Sequence, residues 1–148
     1  MRLIDADVLS YALYDDSPAH GDAWGFMKRA VAGEVEASIC HTTVIEAYNA
    51  LVWYYHVRPR ESVLEKLGAV VESLKVAQTS MRGIAVARSE GIPLGDGFLI
   101  ATAIDNRLPI VVSNDRHVIS TAPKYGLMAE NPISVKVQRT MRRQGDSV

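Results

Sequence analysis

An α/β fold built on a parallel sheet is what the sequence predicts, and three observations carry it. Short apolar runs alternate with segments of helical periodicity, the run Ile110–Val112 has no polar face, and acids stand directly behind the runs. A strand that is apolar throughout is one covered by helices on both sides. "PIVVSNDRHVI" drives such a strand into Ser113, Asn114 and Asp115, and "RLIDADVL" carries Leu3 and Ile4 into Asp5 and Asp7. A carboxylate at the mouth of a buried strand has a partner or a task.

In chain order, Leu3 and Ile4 form a first strand, and "LSYALYD" makes a helical turn or two. Ser17 as N-cap with Pro18 at the first helical position opens a helix through about Ala32. "VEASIC" is a second strand, followed by a helix from about Thr43 to Tyr55 and another from about Glu61 to Ser73. "LKVAQ" suits a short strand, Ser80 to Ser89 is helical, and "EGIPLG" breaks that helix. A further helix spans about Asp96 to Asn106, and Leu108-Pro109 leads into the strand Ile110–Val112. From Gln138 onward "QRTMRRQGDSV" has three arginines and no apolar period, a basic tail whose composition is compatible with disorder.

The 148 residues are one domain's worth, and 48% hydrophobic residues suffice for a core. A net charge of -1, from 16 basic and 17 acidic residues, supplies no global field to attract nucleic acid, so any such partner is held locally. Cys40 is the sole cysteine, which excludes an intramolecular disulfide and fits a reducing compartment; its default role is a small buried apolar residue. No apolar stretch approaches the ~20 residues of a membrane span, and a soluble, cytoplasmic chain is expected.

Four acids are out of place for a plain scaffold. In "VIEAYNALVWYY" only Glu46 and Asn49 are neither aliphatic nor aromatic, a pattern that predicts a buried helix in which Glu46 needs a cation; the plain alternatives are a salt bridge to an arginine or a snorkelling position at the rim. Asp96 sits where an acid caps a helix, but it shares a face with Leu99, Ile100 and Ala103 and so points inward. Asp105 falls on the opposite, solvated face. Asp5 and Asp115 each end an apolar strand, and ligands of open parallel sheets bind beyond the carboxyl ends of strands. Singly, each acid has a plain reading: a cap for Asp5 and, as the favoured reading taken alone, for Asp96; a turn residue for Asp115; and an ion pair or rim position for Glu46. One sheet edge can collect all four, and clustered carboxylates stay ionised only around a divalent cation. All-oxygen ligation favours Mg2+ or Mn2+, whereas zinc fits poorly with a lone Cys40 and with His20, His41, His56 and His117 at no paired spacing. The chemistry that matches is phosphoryl or phosphodiester transfer.

The order "LID", Glu46 in "TVIEAYNAL", Asp96 in "GDGFLIATAIDNRLPIVVSND" and Asp115 at its end resembles PIN-domain ribonucleases, particularly the VapC-type toxins of prokaryotic toxin-antitoxin modules. The resemblance runs to about residue 135, implying a PIN domain over 1–135 and a tail over 136–148. It implies a three-layer α/β/α fold with a central, mostly parallel sheet. It also implies an acidic cluster of Asp5, Glu46, Asp96 and Asp115 holding Mg2+ or Mn2+, with Ser113 orienting the metal site. Endoribonuclease activity on an RNA substrate, a homodimer and a cognate antitoxin follow from the same resemblance. Two positions depart from it: Asp7 replaces the usual Ser, Thr or Asn, as a further metal contact or a helix cap, and Val118 replaces a frequent aromatic.

Rival readings are an RNA-processing PIN nuclease without an antitoxin, a non-cleaving RNA- or partner-binding PIN scaffold, and a haloacid-dehalogenase-like phosphatase with Asp5 as nucleophile and Asp7 as acid. The last lacks the Thr or Val expected two residues after Asp7, where Leu9 stands, and an obvious downstream lysine. Arg116, Arg139, Arg142 and Arg143 are candidates to grip phosphates or ordinary solvated charges. The aromatics of "LVWYY", at helical spacing, read as core or dimer interface rather than as a base-stacking platform.

Overall fold

A computed structural model describes residues 1–144. Five parallel strands form one sheet in the order β3-β2-β1-β4-β5: β1 (Arg2–Ile4), β2 (Ala37–Cys40), β3 (Lys75–Ala77), β4 (Ile110–Val112) and β5 (Met128–Glu130). The chain lays down β2 and β3 to one side of β1, then returns to the other side for β4 and β5. The order therefore reverses between β1 and β4, the place where sheets of this kind form a crevice beyond the carboxyl ends of their strands. Register fixes its two lips, because Leu3 pairs with Val111 and Ile4 with Val112. The amide of Asp5 then donates to the Val112 carbonyl at 2.9 Å.

The pleat sends alternate residues to opposite faces, and both faces are apolar. Ile4, Ile39 and Val112 join the core under α1 (Ala6–Leu13), α2 (His20–Val31), α3 (His41–Asn49), α4 (Arg60–Ser73) and α8 (Val135–Arg143). Leu3, Cys40 and Val111 join a second core under α5 (Gly83–Glu90), α6 (Leu94–Asp105) and α7 (Arg116–Thr121). The result is the expected three-layer α/β/α arrangement. Cys40 is buried, with its sulfur 3.3 Å from the hydroxyls of Thr42 and Thr43. Helix α6, which carries Asp96, is held tightly on α5: a Cβ at Gly97 would stand 2.8 Å from that of Ala87, so only glycine admits this approach.

Several expectations are corrected. Ser17 does not cap α2; its hydroxyl accepts the Ala19 amide at 3.1 Å in the preceding turn, and the helix starts at His20. The segment expected to run as one helix to Tyr55 is α3 followed by a π-helical turn, Ala50–Tyr54, closed by the Tyr55 amide on the Ala50 carbonyl at 2.9 Å. It is not buried all round: Ile45, Trp53 and Tyr54 are 60%, 58% and 64% exposed. Asp105 is exposed as expected, and there it also accepts Ser80 Oγ at 2.5 Å and Arg82 Nη1 at 2.8 Å. The tail is helical through Arg143: Ser134 caps α8 by accepting the Val137 amide at 3.2 Å, and Val137 and Met141, one turn apart, pack on the main core. The rest of that tail, residues 145–148, lies outside the described residues. No helix among the described residues is long and apolar enough to cross a membrane.

Candidate active site

The two strand ends supply three linked groups. Asp5 caps α1, its Oδ1 accepting the Ala6 amide at 2.7 Å. Its Oδ2 accepts the Ser113 hydroxyl at 2.6 Å, and Ser113 Oγ in turn accepts the Asp115 amide at 2.9 Å. A hydroxyl has one proton to give, so Ser113 is committed to Asp5 while it fixes the backbone of Asp115. Asp115 caps α7 by accepting the His117 amide at 2.7 Å. The caps explain the local sequence: acids at these positions satisfy amide groups that a helix start leaves open.

Two helices bring the remaining acids. Asp96, in the first turn of α6, is 7% exposed, and its Oδ2 is buried without a hydrogen-bond partner. Glu46 comes from α3 and is exposed as a residue, yet its carboxyl end rests against Gly95, where an added Cβ would stand 2.8 Å from Glu46 Cδ. Here too glycine is the residue that leaves room.

The charges of these groups are felt mutually. Burial pushes Asp96 up to about 8, helped by the charges of Asp115, Asp5 and Glu46 and by a hydrogen bond with Asp115. Desolvation raises Glu46 to about 7, with Asp5 and Asp115 adding to it. Asp5 rises to about 6, again chiefly through burial, although its bonds to Ser113 and Ala6 pull the other way. Among the described residues, no ion pair involves Asp5, Asp7, Glu46, Asp96 or Asp115. Glu46 therefore has no arginine partner among the described residues, and its exposure matches the rim position that the sequence also allowed. Nor are any three His, Cys, Asp or Glu side chains among the described residues drawn into a ready-made metal cage. Acids with no cation between them repel, and those on the strand ends are tied to local amides instead. The donor set is nonetheless all oxygen, with one buried acceptor of Asp96 unused, which suits a hard divalent cation rather than zinc.

Asp7, set apart in the sequence reading, lies at the same edge. Its Oδ1 accepts the Val8 amide at 2.7 Å, and its Oδ2 accepts the Asn114 amide at 2.9 Å, so it fastens the β1–α1 junction to the loop after β4. Burial, with Asp5 beside it, holds its carboxyl well above the usual range. With both oxygens taken by backbone amides, it is poorly free to serve as the general acid of a phosphatase.

Two solved structures resemble this arrangement. The crystal structure of PAE2754 from Pyrobaculum aerophilum superimposes with a TM-score of 0.63 at 22% identity, covering 98% of this chain and 89% of that one. The crystal structure of VapBC2 from Rickettsia felis bound to a DNA fragment from their promoter superimposes with a TM-score of 0.62 at 14% identity, over 88% of this chain and 97% of that one. The fold is PIN-like. No family model and no curated protein matches the sequence, so the likeness lies in the path of the backbone.

Within this PIN-like frame the sequence reading passed over two residues. Asn114 is fully buried, its Oδ1 accepting Asn131 Nδ2 at 2.8 Å, and Asn131 Oδ1 accepts the Ile133 amide at 3.0 Å. The pair braces the loop that carries Ser113 and Asp115. Asn114 sits in "SND", where turn composition hides a structural asparagine. Gly95 offered no signal beyond helix breaking.

Proposed function

We propose that this protein is a divalent-metal-dependent endoribonuclease that hydrolyses RNA phosphodiester bonds, the toxin of a toxin-antitoxin pair. The observation that carries the reading is Asp96: a buried carboxylate with an unused oxygen, facing other acids and no cation. Asp5, Glu46, Asp96 and Asp115 would hold Mg2+ or Mn2+. The chemistry such an ion supplies when bound is activation of a water nucleophile and stabilisation of charge on the leaving oxygen. The chain's own groups prepare for it. Ser113 keeps the Asp5 carboxylate turned into the crevice, the α7 cap holds Asp115, and Gly95 lets Glu46 lean against α6. Glu46 and Asp96, with raised pKa values, retain protons near neutrality and release them when a cation arrives.

The same reading brings a cognate antitoxin that covers the crevice and a homodimer, for which the exposed Ile45 and Trp53 on one side of α3 and the π turn offer apolar area. Cleavage of a single-stranded RNA in Mn2+, abolished by EDTA and by Asp96→Asn, is the test. RNA left intact by the parent protein in Mn2+ removes the proposal. Co-purification with the product of an adjacent small reading frame distinguishes a toxin from an RNA-processing enzyme of the same fold.

A further inference from the structure

The π-helical turn has a geometric effect on the acidic crevice. At about 100° per residue an unbroken α-helix would set Tyr54 about 80° around the axis from Glu46. The wider i→i+5 winding of residues 50–54 delays that rotation and brings Tyr54 back toward the Glu46 face. Glu46, Ala50 and Tyr54 consequently line one cavity of about 200 Å³, together with Asp7, Ser10 and Tyr55. The cavity adjoins the proposed metal site, because Glu46 belongs to both and Asp7, on its wall, is fastened to the loop between Ser113 and Asp115.

Its aromatic wall is mounted firmly. Tyr54 meets Tyr55 edge-on with ring centroids 4.8 Å apart, and Tyr55 stacks on Tyr14 at 4.4 Å. Tyr54 is nevertheless 64% exposed. Tyr54 and Tyr55 also line a second cavity with Asp16 and Gln144, and the exposed Arg142 and Arg143 directly precede Gln144 in the last turn of α8. An exposed aromatic ring beside acids that suit a metal, on a cavity that reaches the residue following two exposed arginines, matches a single RNA strand better than a second apolar surface.

We infer that the cavity beside Glu46 receives the base of a nucleotide flanking the scissile phosphate, stacked on Tyr54, with Arg142 and Arg143 holding the backbone beyond it. The inference rests on the nuclease reading for what the neighbouring acids do, but RNA binding by Tyr54 is measurable without cleavage. The sequence reading assigned this aromatic run to core or dimer interface; the exposure of Tyr54 excludes the core for that residue.

The test uses the full chain carrying Asp96→Asn, in Mg2+, titrated with a single-stranded oligoribonucleotide containing one 2-aminopurine. Adding Tyr54→Ala should abolish the quenching of that base and weaken binding about 5- to 150-fold, the equivalent of one base–aromatic stack. Tyr54→Trp should retain both. Arg143→Ala should weaken binding to all sequences alike and reduce its salt dependence by about one counterion. Unchanged quenching and affinity in Tyr54→Ala overturn the inference. So does a Tyr54→Ala chain that loses its oligomeric state while binding RNA as before, which assigns the ring to a second copy. Tyr54-dependent binding in a parent chain that never cuts RNA keeps the base site and removes the nuclease reading; cutting indifferent to Tyr54 does the reverse.

Discussion

Asp96 and Asp105 belong to the same helix, α6, at its two ends, and their surroundings differ in every respect that matters to a carboxylate. Asp105 has one oxygen on Ser80 and the other on Arg82, at the surface. Asp96 is buried, keeps an oxygen without a partner and faces Asp5, Glu46 and Asp115. A surface ion pair contributes roughly 0–1 kcal/mol, whereas an ionised carboxylate buried alone costs several kcal/mol or stays protonated. One end of α6 is thus arranged for the fold. The other is arranged at the expense of the fold, and the proposed cation would offset that expense.

Substitution separates the two ends most widely in catalysis. Asp96→Asn should lower the initial rate of Mn2+-dependent RNA cleavage by about 10²–10³-fold, as losing a charge-stabilising group does, while Asp105→Asn stays within about twofold of the parent. Equal rates for the two variants would erase the distinction. Gly95→Ala comes next, since its methyl group displaces the Glu46 carboxylate without touching the core. A drop of roughly tenfold or more in rate, with an unchanged melting temperature, is expected from misplacing one group at the site. A Gly95→Ala variant as fast as the parent means that the close approach of Glu46 to Gly95 does not position the reaction.

Acidity gives a gentler contrast. Asp96 and Glu46 have folded pKa values of about 8 and about 7, above those of the unfolded chain, so between about pH 4 and pH 8 the folded state binds more protons. In EDTA, stability is fullest near pH 4 from these groups and falls as pH rises through their folded values. Thermal melting should show a decline from pH 5 to pH 8 that Asp96→Asn flattens and Mn2+ at pH 8 counteracts. A melting temperature that climbs over this range in EDTA contradicts the electrostatic account. The smallest effect belongs to Asp105→Ala, a loss of about 1 kcal/mol or less in chemical denaturation, with the pH trend untouched.

The sequence made some of this legible because apolar runs ended abruptly in acids. Ile110–Val112 is a strand as expected, and Asp5, Ser113 and Asp115 are joined where parallel pairing puts them. The inward face of Asp96 was readable from its spacing to Leu99, Ile100 and Ala103, all of them buried. Other features belong to tertiary structure. Met128–Glu130 has no β-branched residue and is a strand only because β4 offers an edge for it. The bond from the Asn114 amide to Asp7 spans 107 positions and depends on the adjacency of β1 and β4. The helix around Glu46 was misjudged because an exposed apolar surface and an apolar surface in a core have the same composition. Ile45 and Trp53 show that ambiguity. The arginines of α8 masked the spacing of Val137 and Met141 in the same way.

The bond between Ser113 and Asp5 spans 108 positions, because the strand that completes the crevice is the fourth to be made although it lies beside the first. A ribosome that has delivered β1, β2 and β3 has delivered Asp5 and Glu46 but neither Ser113 nor Asp115. A chain cut before that point carries Asp5 and Glu46 without the hydroxyl and the second strand end that hold the cluster together.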